Sequence, residues 1–186
     1  MIGIAGWKKS GKTTLAERLI AEFTARGLRV ATVKHAHHSF QIDDAETDSA
    51  RHRRAGATQV AIVSGKRWAM VRELEGEPEP TLPEVIAWLR PCDLVVVEGY
   101  KEAAIPKIET RRSQAHGREP LADRDPHVIA IASDHPCDGH GCPVFALDDA
   151  AGLADFITRA LGLHAAGARP GEPATAAQAP NAAAKR

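Results

Sequence analysis

The sequence predicts an α/β fold, in which a mostly parallel sheet is flanked by helices and carries an added β-hairpin. An apolar segment, Ile2 to Ala5, runs into a glycine-rich loop and then into a helical pattern that ends at Gly27. A second apolar segment, Leu28 to Val33, follows that helix. Strand, helix and strand within about 35 residues form a unit with parallel strands and a right-handed crossover. Further along, Leu94 to Val97 are all apolar, which is typical of a strand buried on both faces.

The composition excludes several classes of partner. The chain has 186 residues, with 24 Lys and Arg side chains and 24 Asp and Glu side chains. Because these charges cancel, the overall field gives no reason to expect nucleic acid or an anionic membrane surface as a partner. No apolar run approaches the roughly 20 residues of a membrane span, and the sequence starts with a core strand instead of a signal peptide. We therefore expect a cytoplasmic protein whose three cysteines are reduced thiols.

Composition along the chain predicts one domain and a tail. Residues 1–163 carry all of the apolar segments, and they are enough to bury a sizeable core. From residue 164 the chain is rich in Ala, Gly and Pro and has no apolar anchors. Residues 164–186 are therefore predicted to be a disordered tail.

The glycine-rich loop has the pattern of a phosphate-binding loop, so the predicted α/β fold is that of a P-loop NTPase. Gly6 and Gly11 allow a backbone path that turns consecutive N–H groups onto phosphate oxygens. Lys12 would reach the β- and γ-phosphates, the Thr13 hydroxyl would ligate Mg²⁺, and the following helix adds the positive end of its dipole. The residues predicted to bind a triphosphate in this segment are Gly6, Lys8, Lys9, Ser10, Gly11, Lys12, Thr13 and Thr14.

The second strand delivers a histidine-rich segment to the same edge of the sheet. It reads Lys34-His35-Ala36-His37-His38. Lys34 and His35 are candidates for contact with phosphate or substrate, because ligands in such sheets lie beyond the carboxyl ends of the strands. The three histidines could instead bind a metal, although their spacing matches no specific metal signature. A plain solvated loop is the third interpretation, and all three stay open.

A short helix with an acidic start follows. Its end is predicted at Gly56, and the candidates for its N-cap are Thr47, Asp48 and Ser49. Asp48 could simply be that cap. It could also contact Mg²⁺ in the second sphere or the attacking water, with Arg51 and Arg54 one turn apart and facing an anion. These interpretations stay open.

A hairpin and a third helix come next. Two short strands, Gln59 to Val63 and Trp68 to Arg72, are joined by a Ser-Gly-Lys turn, which predicts an antiparallel hairpin. A surface loop rich in Glu and Pro, Glu75 to Pro83, leads to a helix that begins at Thr81 or Leu82.

The valine-rich strand ends in an acidic residue, Glu98. In a parallel sheet this strand end is expected beside the phosphate-binding loop. An acidic residue at that place holds Mg²⁺ directly or through water, and it can also orient the nucleophile. The sequence therefore predicts Thr13 and Glu98 as the metal ligands.

Two further strands follow. Ile105 to Arg111 alternates in the manner of a half-exposed strand, and Pro106 favours an edge or a strand start. The polar segment from Ser113 to Asp125 is expected to be mobile, and His127 to Ala132 is another aliphatic strand. Asp134, at the carboxyl end of that strand, could accept the N1–H and exocyclic amine of guanine, two donors that adenine does not present. A turn or helix-cap aspartate is the alternative.

The last part contains a Cys/His turn and a helix. His135 to Cys142 has the composition of a metal site, but structural zinc sites show paired ligands around a longer loop, so we do not predict metal there. Val144 to Leu147 is the final strand, and Asp148 or Asp149 caps a helix that ends at Gly162.

Several of these motifs together resemble one family, the molybdopterin-guanine dinucleotide biosynthesis adaptor protein, MobB. The segments that carry the resemblance are the phosphate-binding loop, Lys34-His35 with His37-His38, Thr47-Asp48-Ser49 to Ala55-Gly56-Ala57, Glu98-Gly99-Tyr100-Lys101 before Pro106-Lys107-Ile108-Glu109, and Val128 to Asp134 with the closing helix. The resemblance covers residues 1–163 and leaves out the turn around Cys137. It implies a GTP-binding homodimer with weak GTPase activity, which works beside the guanylyltransferase that joins GMP to molybdopterin.

From the residues and the resemblance we form a hypothesis about mechanism. The loop holds GTP, Lys12 and Mg²⁺ on Thr13 and Glu98 neutralise its charge, and Asp134 helps to select guanine. The candidate catalytic residues are Lys12, Glu98 and Asp48. No residue stands out as a strong general base, although Arg51 or Arg54 from a dimer mate could serve as an arginine finger, so hydrolysis is expected to be slow.

The expected partners are the molybdenum cofactor guanylyltransferase and other proteins of molybdenum cofactor biosynthesis, while direct binding of molybdopterin stays open. Two other functions also stay open. A small-molecule kinase would need an acceptor pocket and rapid turnover. A metal-insertion GTPase would use His35, His37 and His38, or the Cys137 turn.

Overall fold

Eight strands and four helices make up the part of the chain that the computed structural model describes, residues 1–36, 40, 42, 47–117 and 119–163. The strands are β1 Ile2–Gly6, β2 Val30–Lys34, β3 Gln59–Val63, β4 Trp68–Arg72, β5 Leu94–Glu98, β6 Lys107–Arg111, β7 Val128–Ser133 and β8 Val144–Ala146. The helices are α1 Lys12–Ala25, α2 Asp48–Arg54, α3 Leu82–Ala87 and α4 Ala150–Leu161. The predicted α/β class is confirmed.

The main sheet contains six parallel strands in the order β2-β5-β1-β6-β7-β8. The strands of the first predicted unit, β1 and β2, are parallel as expected, but β5 lies between them. β1 therefore has β5 on one side and β6 on the other. Because the glycine-rich loop follows β1, the carboxyl ends of β5 and β6 flank that loop from opposite sides.

Two apolar layers enclose this sheet. α1 and α4 cover one face, and α3 packs on the other. Consecutive residues of β5 point to opposite faces, so Leu94 and Val96 belong to the first layer while Val95 and Val97 belong to the second. Full burial of a side chain such as Phe23 in α1 contributes about 1.5–3 kcal/mol. These layers hold the strand ends that form the site.

The helix boundaries follow their caps. The side chain of Thr47 accepts a hydrogen bond from the N–H of Ala50 at 3.4 Å, so Thr47 is the N-cap of α2 and Asp48 is its first residue. The carboxylate of Asp149 accepts from the N–H of Gly152 at 2.9 Å at the start of α4. Among the caps that the sequence left open, the structure therefore selects Thr47 and Asp149, and the cap interpretation of Asp48 was wrong.

β6 is a central strand, so the prediction of a half-exposed strand was wrong, and of the two positions that Pro106 favoured the strand start is the correct one. It pairs with β1 and β7, and the side chains of Lys107 and Glu109 are buried. Lys107 pairs with Asp125, and Glu109 pairs with Arg111 at 2.9 Å. The alternation thus reflects two buried faces, one apolar and one occupied by ion pairs. Pro106 precedes the strand, where its missing N–H breaks no sheet hydrogen bond.

The polar segment after β6, which we expected to be mobile, is hydrogen-bonded to the sheet. The carboxylate of Glu109 accepts the backbone N–H groups of Leu121 and Ala122, each at 3.0 Å. We call residues 112–117 and 119–122 the covering segment, because these bonds hold it over the second face of β6. An exposed, mobile loop could not satisfy a carboxylate that is buried in this way.

β3 and β4 form a separate two-stranded antiparallel sheet with the bounds that the sequence predicted. The N–H of Ser64 donates to the carbonyl of Arg67 at 2.9 Å and closes the turn. Four large apolar side chains of this hairpin are exposed, namely Ile62, Val63, Trp68 and Met70.

Two predictions fall on residues that the structure does not describe. His37 and His38 lie outside the described residues, and so does the tail from residue 164 to residue 186. Within the described residues, no helix has the length and apolar character needed to cross a membrane.

Candidate functional site

The glycine-rich loop between β1 and α1 has a backbone path that depends on its glycines. Gly6 has φ 152°, Lys9 has φ 65° and Gly11 has φ 93°. A Cβ atom on Gly6 would overlap the hydroxyl oxygens of Thr110 and Ser10 and would lie 2.8 Å from the Thr110 carbonyl oxygen. Only glycine fits at this position, because both the conformation and the space exclude a side chain.

Buried hydroxyls tie this loop to β6. The Thr110 hydroxyl donates to the carbonyl of Ala5 at 3.1 Å, so the Ser10 hydroxyl, 2.7 Å away, donates to Thr110. Both side chains are fully buried. The sequence analysis missed Thr110, because it did not place β6 beside β1. The Ser10 side chain therefore shapes the loop, and only its backbone remains for a ligand.

Lys12 lies in the loop as a partly buried cation. Its Nζ donates to the carbonyl of Trp7 at 2.8 Å. Burial lowers the pKa of Lys12 below its usual 10.5; Glu98 opposes this shift, while Lys101 and Lys34 add to it. Three lysines thus face one carboxylate. An anion at this place would relieve that excess of positive charge.

Thr13 and Glu98 meet as the sequence predicted. The Thr13 hydroxyl donates to Oε1 of Glu98 at 2.9 Å, and Nζ of Lys34 lies 3.5 Å from Oε2. β5 supplies Glu98 because its carboxyl end lies next to the loop. A hydroxyl and a carboxylate are hard oxygen donors of the type that Mg²⁺ takes, together with phosphate oxygens and waters. The donor set therefore fits this ion.

His35 is directed away from this cluster. Its Nε2 lies 2.8 Å from a carboxylate oxygen of Glu79, and its ring packs on Tyr100 with the ring centroids 4.9 Å apart. The His35 backbone N–H donates to the carbonyl of Glu98 at 2.8 Å. Of the predicted pair, Lys34 therefore contacts the cluster with its side chain, while His35 contacts it through its backbone.

Asp48 makes its described ion pair within its own helix. Its carboxylate is exposed and lies 3.5 Å from Arg51 of the same helix. α2, which carries both residues, packs against β3. Asp48 does not line the cavity over the loop. Lys12 and Glu98 are thus close to each other, and among the described contacts of Asp48 there is none with either of them.

A cavity of about 300 Å³ opens over the glycine-rich loop. One wall is the loop with the start of α1, and the opposite wall belongs to the covering segment. The lining residues are Lys9, Ser10, Gly11, Lys12, Thr13, Thr14, Arg112 and Gln114. Sequence reasoning missed Arg112 and Gln114. Their position directly after a strand that pairs with β1 was the only signal for them, and it could be used only with the strand order in hand.

Asp134 follows the carboxyl end of β7, as predicted. One of its carboxylate oxygens accepts the Ser113 N–H at 2.8 Å, and the other lies 3.2 Å from the Ser113 hydroxyl. Nδ1 of His135 lies 2.7 Å away, and Nε of Arg112 lies at 3.7 Å. The hydrogen bond with His135 lowers the pKa of Asp134 most, and those from Ser113 add to it. The carboxylate is ionised at neutral pH and is directed towards the covering segment.

Trp7 joins the covering segment to the loop. Its indole N–H donates to the carbonyl of Glu119 at 2.8 Å, and the N–H of His116 donates to the carbonyl of Lys8 at 3.1 Å. Nζ of Lys101 lies 4.4 Å from the centre of the indole ring, within reach of a cation–π contact. The two walls of the cavity are thereby held together.

Comparisons with known proteins agree on one family. The model of the family described as MobB, molybdopterin guanine dinucleotide synthesis protein B, matches residues 1–134. Two relatives are named molybdopterin-guanine dinucleotide biosynthesis adapter protein. The one from Haemophilus influenzae is 40% identical over 139 residues, which are 73% of this chain and 75% of the relative. The one from Escherichia coli is 38% identical over 159 residues, which are 84% of this chain and 90% of the relative.

A solved structure agrees with the fold. A MobB protein homolog from Bacillus stearothermophilus is 28% identical and superposes with a TM-score of 0.65, over 87% of this chain and 97% of that chain. The resemblance inferred from the sequence motifs and the predicted fold class are both confirmed by these matches.

Proposed function

Because this chain belongs to the MobB family, we propose that it serves as a GTP-binding adapter with weak GTPase activity in the formation of molybdopterin-guanine dinucleotide. One observation carries the proposal. Lys12 and the pair formed by Thr13 and Glu98, with 2.9 Å between their oxygens, lie together on a glycine-shaped loop. This is the arrangement that a nucleoside triphosphate with Mg²⁺ requires.

The phosphates are held by the loop from Lys8 to Thr14. Backbone N–H groups and the N-terminus of α1 contact the phosphate oxygens, and Lys12 exchanges its bond to a carbonyl for bonds to the β- and γ-phosphates. Thr13 and Glu98 would hold Mg²⁺, which neutralises phosphate charge when it is bound. Lys34, close to Glu98, adds a further positive charge on that side.

Guanine is selected by Asp134 in this proposal. The two oxygens of its carboxylate face two donors of Ser113, one donor each. Guanine offers the same bidentate pattern through its N1–H and its exocyclic amine. Adenine has no such pair of donors. The base therefore replaces Ser113 on a carboxylate that is already ionised and oriented.

Slow hydrolysis follows from the lining of the cavity. Among the described residues that line it, none is an aspartate, a glutamate or a histidine. Glu98, whose carboxylate accepts from Thr13 at 2.9 Å, is taken up by Mg²⁺ in this proposal, so it is a poor general base for the attacking water. Such a protein holds its nucleotide for a long time, which suits an adapter that works with the guanylyltransferase and other proteins of molybdenum cofactor biosynthesis.

We also propose that the protein is a homodimer, in which a second copy covers the hairpin. The exposed fractions are 77% for Val63, 67% for Trp68 and 54% for Met70. An isolated two-stranded sheet is marginally stable in water, and its edges have unpaired N–H and C=O groups. Asp48 and Arg51, both exposed on α2 beside this sheet, would then be available to the nucleotide of the other copy. Sedimentation should show a dimer that Trp68→Glu dissociates; a wild-type monomer would contradict the proposal.

The experiment that tests the function is a calorimetric titration of the full chain with GTP and with ATP, each with and without Mg²⁺. We expect GTP to bind more tightly than ATP and more tightly with Mg²⁺. Lys12→Ala should lose most of this affinity, whereas Lys66→Ala, a change in the hairpin turn, should not. Asp134→Asn should reduce the preference for GTP over ATP.

The adapter role needs a second step in the same cell, the addition of the guanylyltransferase. Heat on mixing, with a complex that survives gel filtration, supports the adapter. A preference for ATP, or no response to the transferase, would favour a small-molecule kinase instead.

A further inference from the structure

The wall of the cavity opposite the glycine-rich loop carries a cation that the function above does not use. Arg112 is the first residue after β6, and it lines the cavity together with Gln114. We propose that Arg112 is a ligand of the α- and β-phosphates of the bound nucleotide, contributed by the same chain. This inference rests on the proposed function, because it presumes a nucleotide in the cavity.

Arg112 is suited to this role because its guanidinium makes fewer described hydrogen bonds than that of its neighbour, Arg111. Arg111 donates to both oxygens of Glu109, at 3.0 and 2.9 Å, and also to the carbonyl of Asp138 at 2.6 Å. Arg112 lies 3.7 Å from Asp134, which is beyond hydrogen-bond distance, and 45% of its side chain is exposed. Its planar guanidinium can thus turn into the cavity and donate to two phosphate oxygens at once.

The strand order decides which phosphates it reaches. Glu98 comes from β5 and Arg112 from β6, and these strands lie on opposite sides of β1. Lys12 and the pair of Thr13 and Glu98 mark the side of the β- and γ-phosphates and the metal. Arg112 therefore approaches from the side opposite to Glu98, across a cavity that Lys9 to Thr14 also line. From there it contacts the part of the nucleotide that GTP and GDP share.

The covering segment gives Arg112 a fixed base. Ser113, the next residue, is bound to Asp134 through its N–H, and the preceding Arg111 is held by Glu109. Farther along, Glu109 also holds Leu121 and Ala122. Because guanine takes the place of Ser113 on Asp134 in the proposed function, the anchor that remains in the nucleotide complex is Glu109, through Arg111, Leu121 and Ala122. The buried Glu109, which the function does not otherwise use, acts on the site through the segment that it anchors.

The test is calorimetric titration of wild type, Arg112→Ala and Arg112→Lys with GTP, GDP and ATP in the presence of Mg²⁺. We expect Arg112→Ala to lower the affinities for GTP and GDP by the same factor, about 10- to 100-fold, because a hydrogen bond to a charged group is lost in both complexes. The affinity for ATP should fall by a similar factor, since a phosphate contact does not depend on the base. Arg112→Lys should restore part of the loss.

The matched control is Arg124→Ala, because Arg124 belongs to the same stretch between β6 and β7, is 72% exposed and pairs with Glu119. It should leave all three affinities unchanged. The single-turnover rate of GTP hydrolysis at saturating nucleotide is measured for wild type and for Arg112→Ala. We expect the fall in affinity to exceed any fall in this rate, which separates a binding role from that of an arginine finger.

Three outcomes would overturn the inference. Unchanged affinity of Arg112→Ala, with normal binding by wild type, refutes it and leaves the proposed function standing. A loss confined to GTP, with slower turnover, makes Arg112 a γ-phosphate residue and also refutes it. A wild-type protein that binds none of the nucleotides refutes the proposed function and this inference together.

Discussion

The two walls of the cavity are built in different ways. The wall made by the loop and α1 is continuous in sequence, and its shape comes from local backbone conformation at Gly6, Lys9 and Gly11. The opposite wall, the covering segment, has no regular secondary structure and depends on partners far along the chain, above all on Glu109 and Asp134. A short motif can specify the first wall, whereas the second requires a folded sheet. The predictions below separate the two, from the largest expected effect to the smallest.

Removing the anchor of the covering segment should have the largest effect on stability. Glu109→Ala leaves the buried guanidinium of Arg111 and two backbone N–H groups without their partner, so we expect a loss of about 3–5 kcal/mol. Urea denaturation followed by circular dichroism measures it. Glu119→Ala is the matched control: this exposed carboxylate pairs with Arg124, and its removal should cost less than about 1 kcal/mol. Equal losses would show that the segment is not anchored by Glu109.

Adding a methyl group to Gly6 should disrupt the wall made by the loop and α1. In Gly6→Ala the added Cβ meets the Thr110 and Ser10 hydroxyls, and we expect a loss of roughly 2–3 kcal/mol together with most nucleotide binding. Gly27 also has a positive φ, 83° against 152° at Gly6, but it has open space around it, so Gly27→Ala should cost only about 1–2 kcal/mol and leave binding intact. If both variants bind GTP like wild type, crowding at Gly6 does not shape the site.

The contact between the two walls can be weakened by a substitution that changes neither Glu109 nor Asp134. A Cβ on Gly117 would lie 2.7 Å from the Trp7 ring, so Gly117→Ala must displace the indole. We expect a loss of about 1 kcal/mol and a changed tryptophan emission, because the ring moves relative to Lys101. Gly65→Ala, with no atom nearby in the described structure, should change neither quantity. An unchanged spectrum of Gly117→Ala would mean that the walls do not meet at this point.

The smallest effect concerns the protonation of Lys12. Burial lowers its pKa, and bound phosphate favours the protonated form, so GTP binding takes up a proton above the lowered pKa. Affinity should therefore fall as pH rises through that range, towards 10.5. Titrations between neutral and alkaline pH measure this fall. In Lys12→Arg, whose guanidinium stays protonated, it should be absent; an identical profile would assign the titration to another group.

Some features of the site lie directly in short stretches of the chain. The glycines, Lys12 and Thr13 stand at fixed spacing between an apolar strand and a helix, and Glu98 ends a strand of consecutive apolar residues. In each case the functional residues lie within about ten residues of a recognisable strand or helix, so strand and helix periodicity were enough to place them. The hairpin strands were also predicted with their correct bounds, because alternation and a glycine turn are local signals.

The sequence by itself determined the phosphate-binding loop, the acidic strand end and the α/β class. Only the tertiary structure decided that β6 lies beside β1, that its charged residues are buried as ion pairs, and that Arg112 and Gln114 face the loop. The physical reason is the range of the interactions. Backbone conformation and hydrophobic periodicity act over a few residues, whereas the burial of Glu109 and the position of Arg112 depend on strands and loops that the chain brings together from distant positions.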